Sequence, residues 1–137
     1  MAEKTIVKAS LKELRLTPRK VALVASLVRG RSIADALVIL ENTNRRPAKP
    51  LAKLLASAKA NAVNNHGLQE EGLMIETISV TAGPRLKRYR PVARGMVHPW
   101  QKRTSHVFVT VSGDKKPVKK ATESKAADSN KEKKEAK

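Results

Sequence analysis

From Ala82 to Gly113 the chain carries no acidic side chain, while Arg85, Lys87, Arg88, Arg90, Arg94, Lys102 and Arg103 are all basic. A solvated face of a globular domain mixes both signs, and a core strand is apolar. This stretch is neither. Pro84, Pro91 and Pro99 interrupt it, and proline cannot donate to a ladder, which argues against a central strand. Gly95 lies near the midpoint, where a turn would fall. A two-stranded hairpin satisfies all of this, and with about ten residues per side it reaches roughly 30 Å. Such a ribbon is marginal alone in water, and ordering ~20 residues costs on the order of 1–2 kcal/mol each. An external polyanion can offset that cost. RNA phosphates accept charge-assisted bonds from Arg and Lys and release condensed counterions. Tyr89 and Trp100 are placed to stack on unpaired bases. A flexible, solvated basic loop is the bland reading; the length, the prolines and the aromatics count against it.

The whole chain shares this bias. It has 137 residues, 29 Lys+Arg against 12 Asp+Glu, and a formal net charge of +17. That charge opposes compaction, and a polyanionic partner neutralises it. Residues 113–137 hold nine Lys and five acids, so about +4 sits there and +13 on the remainder. That segment has no aromatic, Leu or Ile, and is expected to be a disordered tail, either a solubilising extension or a weak, non-specific RNA contact. The expected domain is therefore residues 1–112, with the arm at about 83–104. There is no Cys, hence no disulfide or thiolate metal site. The longest apolar run, Val21 to Val28, is far short of the ~20 residues that span a bilayer, and the first residues lack the apolar stretch of a signal peptide. A cytoplasmic protein with no membrane partner is expected.

With only Tyr89, Trp100 and Phe108 as aromatics, the core must be aliphatic. Val7, Ala9 and Leu11 alternate with Lys8, Ser10 and Lys12, which predicts a half-buried strand over Thr5–Leu11. Thr17-Pro18 predicts a helix start, with Thr17 as the cap; Val21, Val24, Ala25 and Val28 follow on one face and Gly30 stops it. Ser32 and Asp35 resemble a capping box before a second stripe of Ile33, Ala36, Leu37 and Leu40. Residues 42–50 form a polar connection. A third stripe, Leu51, Leu54, Leu55, Ala58 and Ala62, ends at His66-Gly67. Alternation resumes near Leu73, and the last strand is expected over Thr104–Val111, with Val107, Val109 and Val111 buried. The expected fold is α+β: three helices packed on a small three-stranded antiparallel sheet, with a long protruding β-hairpin arm.

Four segments carry a resemblance. RLTPRKVALVASLVRGRSIADALVIL, ASAKANAVNNHGL, GPRLKRYRPVARG and KRTSH stand in one order over about residues 5–112. In this they resemble the universal large-subunit ribosomal protein twenty-two family in its bacterial form. The resemblance implies a structural constituent of the large ribosomal subunit that binds 23S-type ribosomal RNA and supports assembly. Its hairpin tip would line the polypeptide exit tunnel. Arg85, Lys87, Arg88, Arg90, Arg94, Lys102 and Arg103 would contact RNA along the arm, Arg19 and Lys20 from the first helix, and His106 at the start of the last strand. The tip, Arg90, Pro91, Val92, Ala93, Arg94, Gly95, Met96 and Val97, would lie nearest the nascent polypeptide. Neighbouring ribosomal proteins are implied partners; no cofactor, metal or homo-oligomer is expected. The sequence departs from the family pattern after Gly95, where Met96-Val97-His98-Pro99-Trp100 suggests a bulkier, more apolar constriction.

An enzyme is disfavoured: His66, His98 and His106 lack partners at acid-base or metal spacing, and the acids show no paired arrangement. His66 suits a helix end, and His106 a structural or RNA contact. A free-standing basic RNA chaperone remains the alternative. No zinc finger or basic zipper is present, and the second helix offers no basic reading face for a helix-turn-helix.

Overall fold

The computed structural model describes residues 5–114; the tail expected at 113–137 lies almost wholly outside them. The order is β1 (Thr5–Leu14), α1 (Pro18–Val28), α2 (Ile33–Asn42), α3 (Ala48–His66), β2 (Met74–Pro91) and β3 (Val97–Gly113), with a short 3-10 turn at Ala93–Gly95. The three strands form one antiparallel sheet in the order β1-β3-β2. Three helices cover one of its faces, as the apolar stripes require.

The core is continuous and aliphatic. Val21, Val24, Ala25 and Val28 of α1, Ile33, Ala36 and Leu40 of α2, and Leu51, Leu54, Leu55, Ala58 and Ala62 of α3 are all buried. They meet Val7 of β1, Ile75 and Ile78 of β2, and Val107, Val109 and Val111 of β3 in one cluster. Each fully buried Leu, Ile or Val is worth about 1.5–3 kcal/mol relative to exposure, so this layer holds the body together. Strict alternation would put Ile75 and Ile78 on opposite faces. A bulge resolves this: Ile75 pairs with Val111 and Thr77 with Thr110, so Glu76 is the extra residue.

The helix ends depart from expectation in two places. Ser32 caps α2 as expected, its Oγ accepting from the Asp35 amide (3.2 Å) and donating to the Asp35 carboxylate (2.7 Å). Thr17 stands at the N-cap position of α1, but its side chain makes no capping bond. Helix α3 starts at Ala48, earlier than the stripe from Leu51 indicates. Lys49 and Pro50 fall in its first turn, where a missing N–H costs nothing.

Along the body, the outer edge of β2 is covered by the α1–α2 turn. Gly30 donates to Ile75 (3.1 Å), Ile75 to Arg31 (2.9 Å) and Ile33 to Leu73 (3.0 Å). The Arg29 guanidinium reaches the Ile78 carbonyl (3.0 Å). These bonds occupy an edge that would otherwise invite pairing with another chain.

Candidate nucleic-acid interface

β2 and β3 do not stop at the body. They pair from Arg85↔Arg103 to Pro91↔Val97 beyond a second bulge between Ala82 and Arg85. The hairpin expected at about 83–104 is therefore an extension of two body strands rather than a separate ribbon. The prolines fit, because a two-stranded ribbon has only edges. Pro84 lies in the bulge, Pro91 ends β2 and Pro99 faces Tyr89. At the tip, Val92 donates to Met96 (2.9 Å) around the 3-10 turn. Arg94 (φ 61°) and Gly95 (φ 72°) are both left-handed. Gly95 accepts that conformation freely; Arg94 holds it against a steric preference of about 1–2 kcal/mol.

Register assigns the arm's side chains to two faces, since directly opposed residues in an antiparallel pair share a side. One face carries Arg85 with Arg103, Lys87 with Gln101 and Tyr89 with Pro99; the other carries Leu86 with Lys102, Arg88 with Trp100 and Arg90 with His98. Every residue from Lys87 to Arg103 is exposed. Both faces are cationic, and each holds one aromatic ring: Tyr89 at 74% exposure and Trp100 at 43%. Arg88 donates to the Lys87 carbonyl (3.2 Å). None of the arm's cations is paired with an acid among the described residues. A surface of this kind can be enclosed by polyanion from both sides.

The other predicted residues lie around the arm's base. Arg19 and Lys20 are exposed in the first turn of α1. His106 is half-buried, and its Nδ1 accepts from the Glu13 amide (2.9 Å), where Glu13 is left-handed (φ 57°) at the irregular end of β1. That bond gives His106 a structural role: it ties β1 to β3 beside the junction. The Thr104 hydroxyl donates to the Pro84 carbonyl (2.6 Å) and holds the bulge. Gly83 is needed here, because a Cβ would stand 2.5 Å from the Thr104 hydroxyl and 3.2 Å from His106 Nε2.

A second basic surface went unnoticed in the sequence. Arg45 and Arg46, in the α2–α3 connection, and Lys49 at the start of α3 are exposed and border two adjoining grooves. Lys20, with the exposed Leu23 and Leu27, completes the wall of one of them. The adjacent Arg45-Arg46 pair was the available signal, but only the packing of α1 beside that connection brings it to Lys20. Among the described residues no group of three or more His, Cys, Asp or Glu is placed to hold a metal ion, and no helix is long and apolar enough to cross a membrane.

Comparison with known proteins covers both the helical body and the basic arm. The family model described as Ribosomal protein L22p/L17e matches residues 9–112. The large ribosomal subunit protein uL22 of Mycoplasma capricolum subsp. capricolum is 47% identical over 108 residues, covering 79% of this chain and 97% of that relative. The protein of the same name from Mesoplasma florum is 48% identical over 108 residues, covering 79% and 96%. The matched region takes in the body and the whole arm, and the chain belongs to the ribosomal protein L22p/L17e family.

Proposed function

We propose that this chain is a structural, non-catalytic constituent of the large ribosomal subunit. It binds large-subunit rRNA, supports assembly of the subunit, and lines the polypeptide exit tunnel with its hairpin tip. The observation that carries this reading is the arm itself: a paired ribbon with no buried core, no acid and cations on both faces. Its ordering is compensated by phosphate neutralisation from either side. Arg85, Lys87, Arg88, Arg90, Arg94, Lys102 and Arg103 contact the 23S-type RNA along the arm, and Arg19 and Lys20 do so from α1. Tyr89 and Trp100 stack on bases. Residues 90–97 face the nascent polypeptide, with Met96 and Val97 narrowing the passage. His106 acts by fixing the junction that these contacts need. The protein works in the cytoplasm within the ribosome, beside other ribosomal proteins, and residues 1–112 are its RNA-binding unit.

Sedimentation of cell lysate at moderate and then high salt tests this. Stoichiometric co-migration with the large subunit that resists the salt wash is expected. A chain that runs mainly free, or leaves at modest salt, would make it a loosely bound RNA chaperone instead.

A further inference from the structure

Where α1 begins, the base of the arm closes a cavity of about 230 Å³. Arg19 from α1, Arg85 from β2 and Arg103 from β3 all line it. These three residues are far apart in sequence and are brought together only by the packing of α1 against the junction. Arg85 and Arg103 are direct cross-strand partners, a placement in which like charges repel. No acid pairs with any of the three among the described residues. The surrounding backbone adds to the positive field. Helix α1 has no acid in its first turn, Pro18 at its first position, and a Thr17 hydroxyl that makes no capping bond. That leaves the hydroxyl and the positive end of the helix dipole unused by the protein. The bond from Thr104 to Pro84 and the lack of room for a Cβ at Gly83 hold the bulge, and Gly83 and Thr104 both line the cavity.

We infer that this cavity is a clamp for a single RNA phosphate, held by Arg19, Arg85 and Arg103 with the Thr17 hydroxyl, and that the clamp sets the direction of the arm relative to the body. The inference rests on the rRNA-binding reading and gives it a specific locus. A phosphodiester supplies what the three guanidiniums lack, since a bidentate arginine pairs with two phosphate oxygens at once. One anion bonded to α1 on one side and to both arm strands on the other ties the body to the arm at the point where the two meet. RNA is favoured over a free tetrahedral anion because the cavity continues the arm's row of cations.

Phosphate-ethylation interference on a large-subunit rRNA fragment, with the full chain, separates the outcomes. One phosphate, or two adjacent ones, is expected to reduce binding of the native chain about tenfold or more when ethylated, the scale of a lost charge-assisted contact. The same modification should cost R19Q/R103Q almost nothing, while R88A/R90A/R94A should retain the native sensitivity. The free R19Q/R103Q protein should melt at or above the native temperature, because a repulsion has been removed. An interference pattern unchanged in R19Q/R103Q overturns the clamp and leaves the rRNA-binding reading standing. A clearly lowered melting temperature also overturns it, since the arginines would then be structural. Inorganic phosphate alone is the control for a free anion. If it shifts the Arg19 and Gly83 amide signals while no RNA phosphate interferes, the site takes a free oxyanion rather than RNA. Failure of the native chain to bind the RNA at all overturns both readings.

Discussion

In β3, Val107, Val109 and Val111 are at most 1% exposed, whereas every residue from Val97 to Arg103 on the same strand is exposed. β2 changes in the same way, from buried Ile75 and Ile78 to a ribbon in which only Leu86 is half-covered. The backbone pairing is the same in both halves; what stabilises it is not. In the body the strands are held by apolar area removed from water. In the arm the ladder bonds stand alone, and each net hydrogen bond contributes only about 0.5–1.5 kcal/mol. The two regimes meet at Gly83-Pro84, where the bulge, the bond from Thr104 to Pro84 and the tie from Glu13 to His106 fall within a few residues. A strand pair can thus be structural at one end and an interaction element at the other, provided the junction is stiff.

Mutations on either side of the junction should report to different assays. Leu55→Ala, deep in the body, should cost about 2–5 kcal/mol in denaturant unfolding; a loss under about 1 kcal/mol would mean the core is not the single cluster described. R88A/R90A/R94A should leave that unfolding curve in place. It should weaken rRNA binding by roughly a hundredfold and flatten the slope of log K against log salt by about 2–3. An unchanged slope would remove the arm as the RNA-binding element. Gly83→Ala, at the junction, should cost about 1–3 kcal/mol through overpacking and also weaken RNA binding, because both regimes depend on that point. Gly95→Ala should be the mildest: about 1 kcal/mol of local strain at the left-handed tip, seen in the tip's amide signals, with the melting temperature of the body unmoved. A drop in melting temperature there would show that the arm and body are energetically coupled.

Much of this contrast was legible in the residues. Helical stripes such as Leu51, Leu54, Leu55 and Ala58 predict their own burial, because the period of a helix is local. The arm could be located from its missing acids and its prolines, and its turn from Gly95. Bulges were not legible: Glu76 looks like any other alternating residue, and only the pairing of its neighbours Ile75 and Thr77 with the adjacent Val111 and Thr110 of β3 shows it to be extra. The continuity of β2 and β3 from body to arm was also hidden, since charge patterning marks a change of environment and not a break in pairing. Thr17 had the composition and the backbone of a cap, but its side chain makes no capping bond.

By itself, then, the order of residues determined the aliphatic body, the cationic arm and the family to which both belong, because periodicity, charge and motif are properties of neighbours in sequence. Tertiary structure decided which distant residues meet. It opposed Arg85 to Arg103, set Arg19 beside them, turned His106 towards Glu13 and brought Lys20 alongside Arg45 and Arg46. Those encounters depend on strand register and on how α1 docks against the sheet, and both are set by the packing of the whole core.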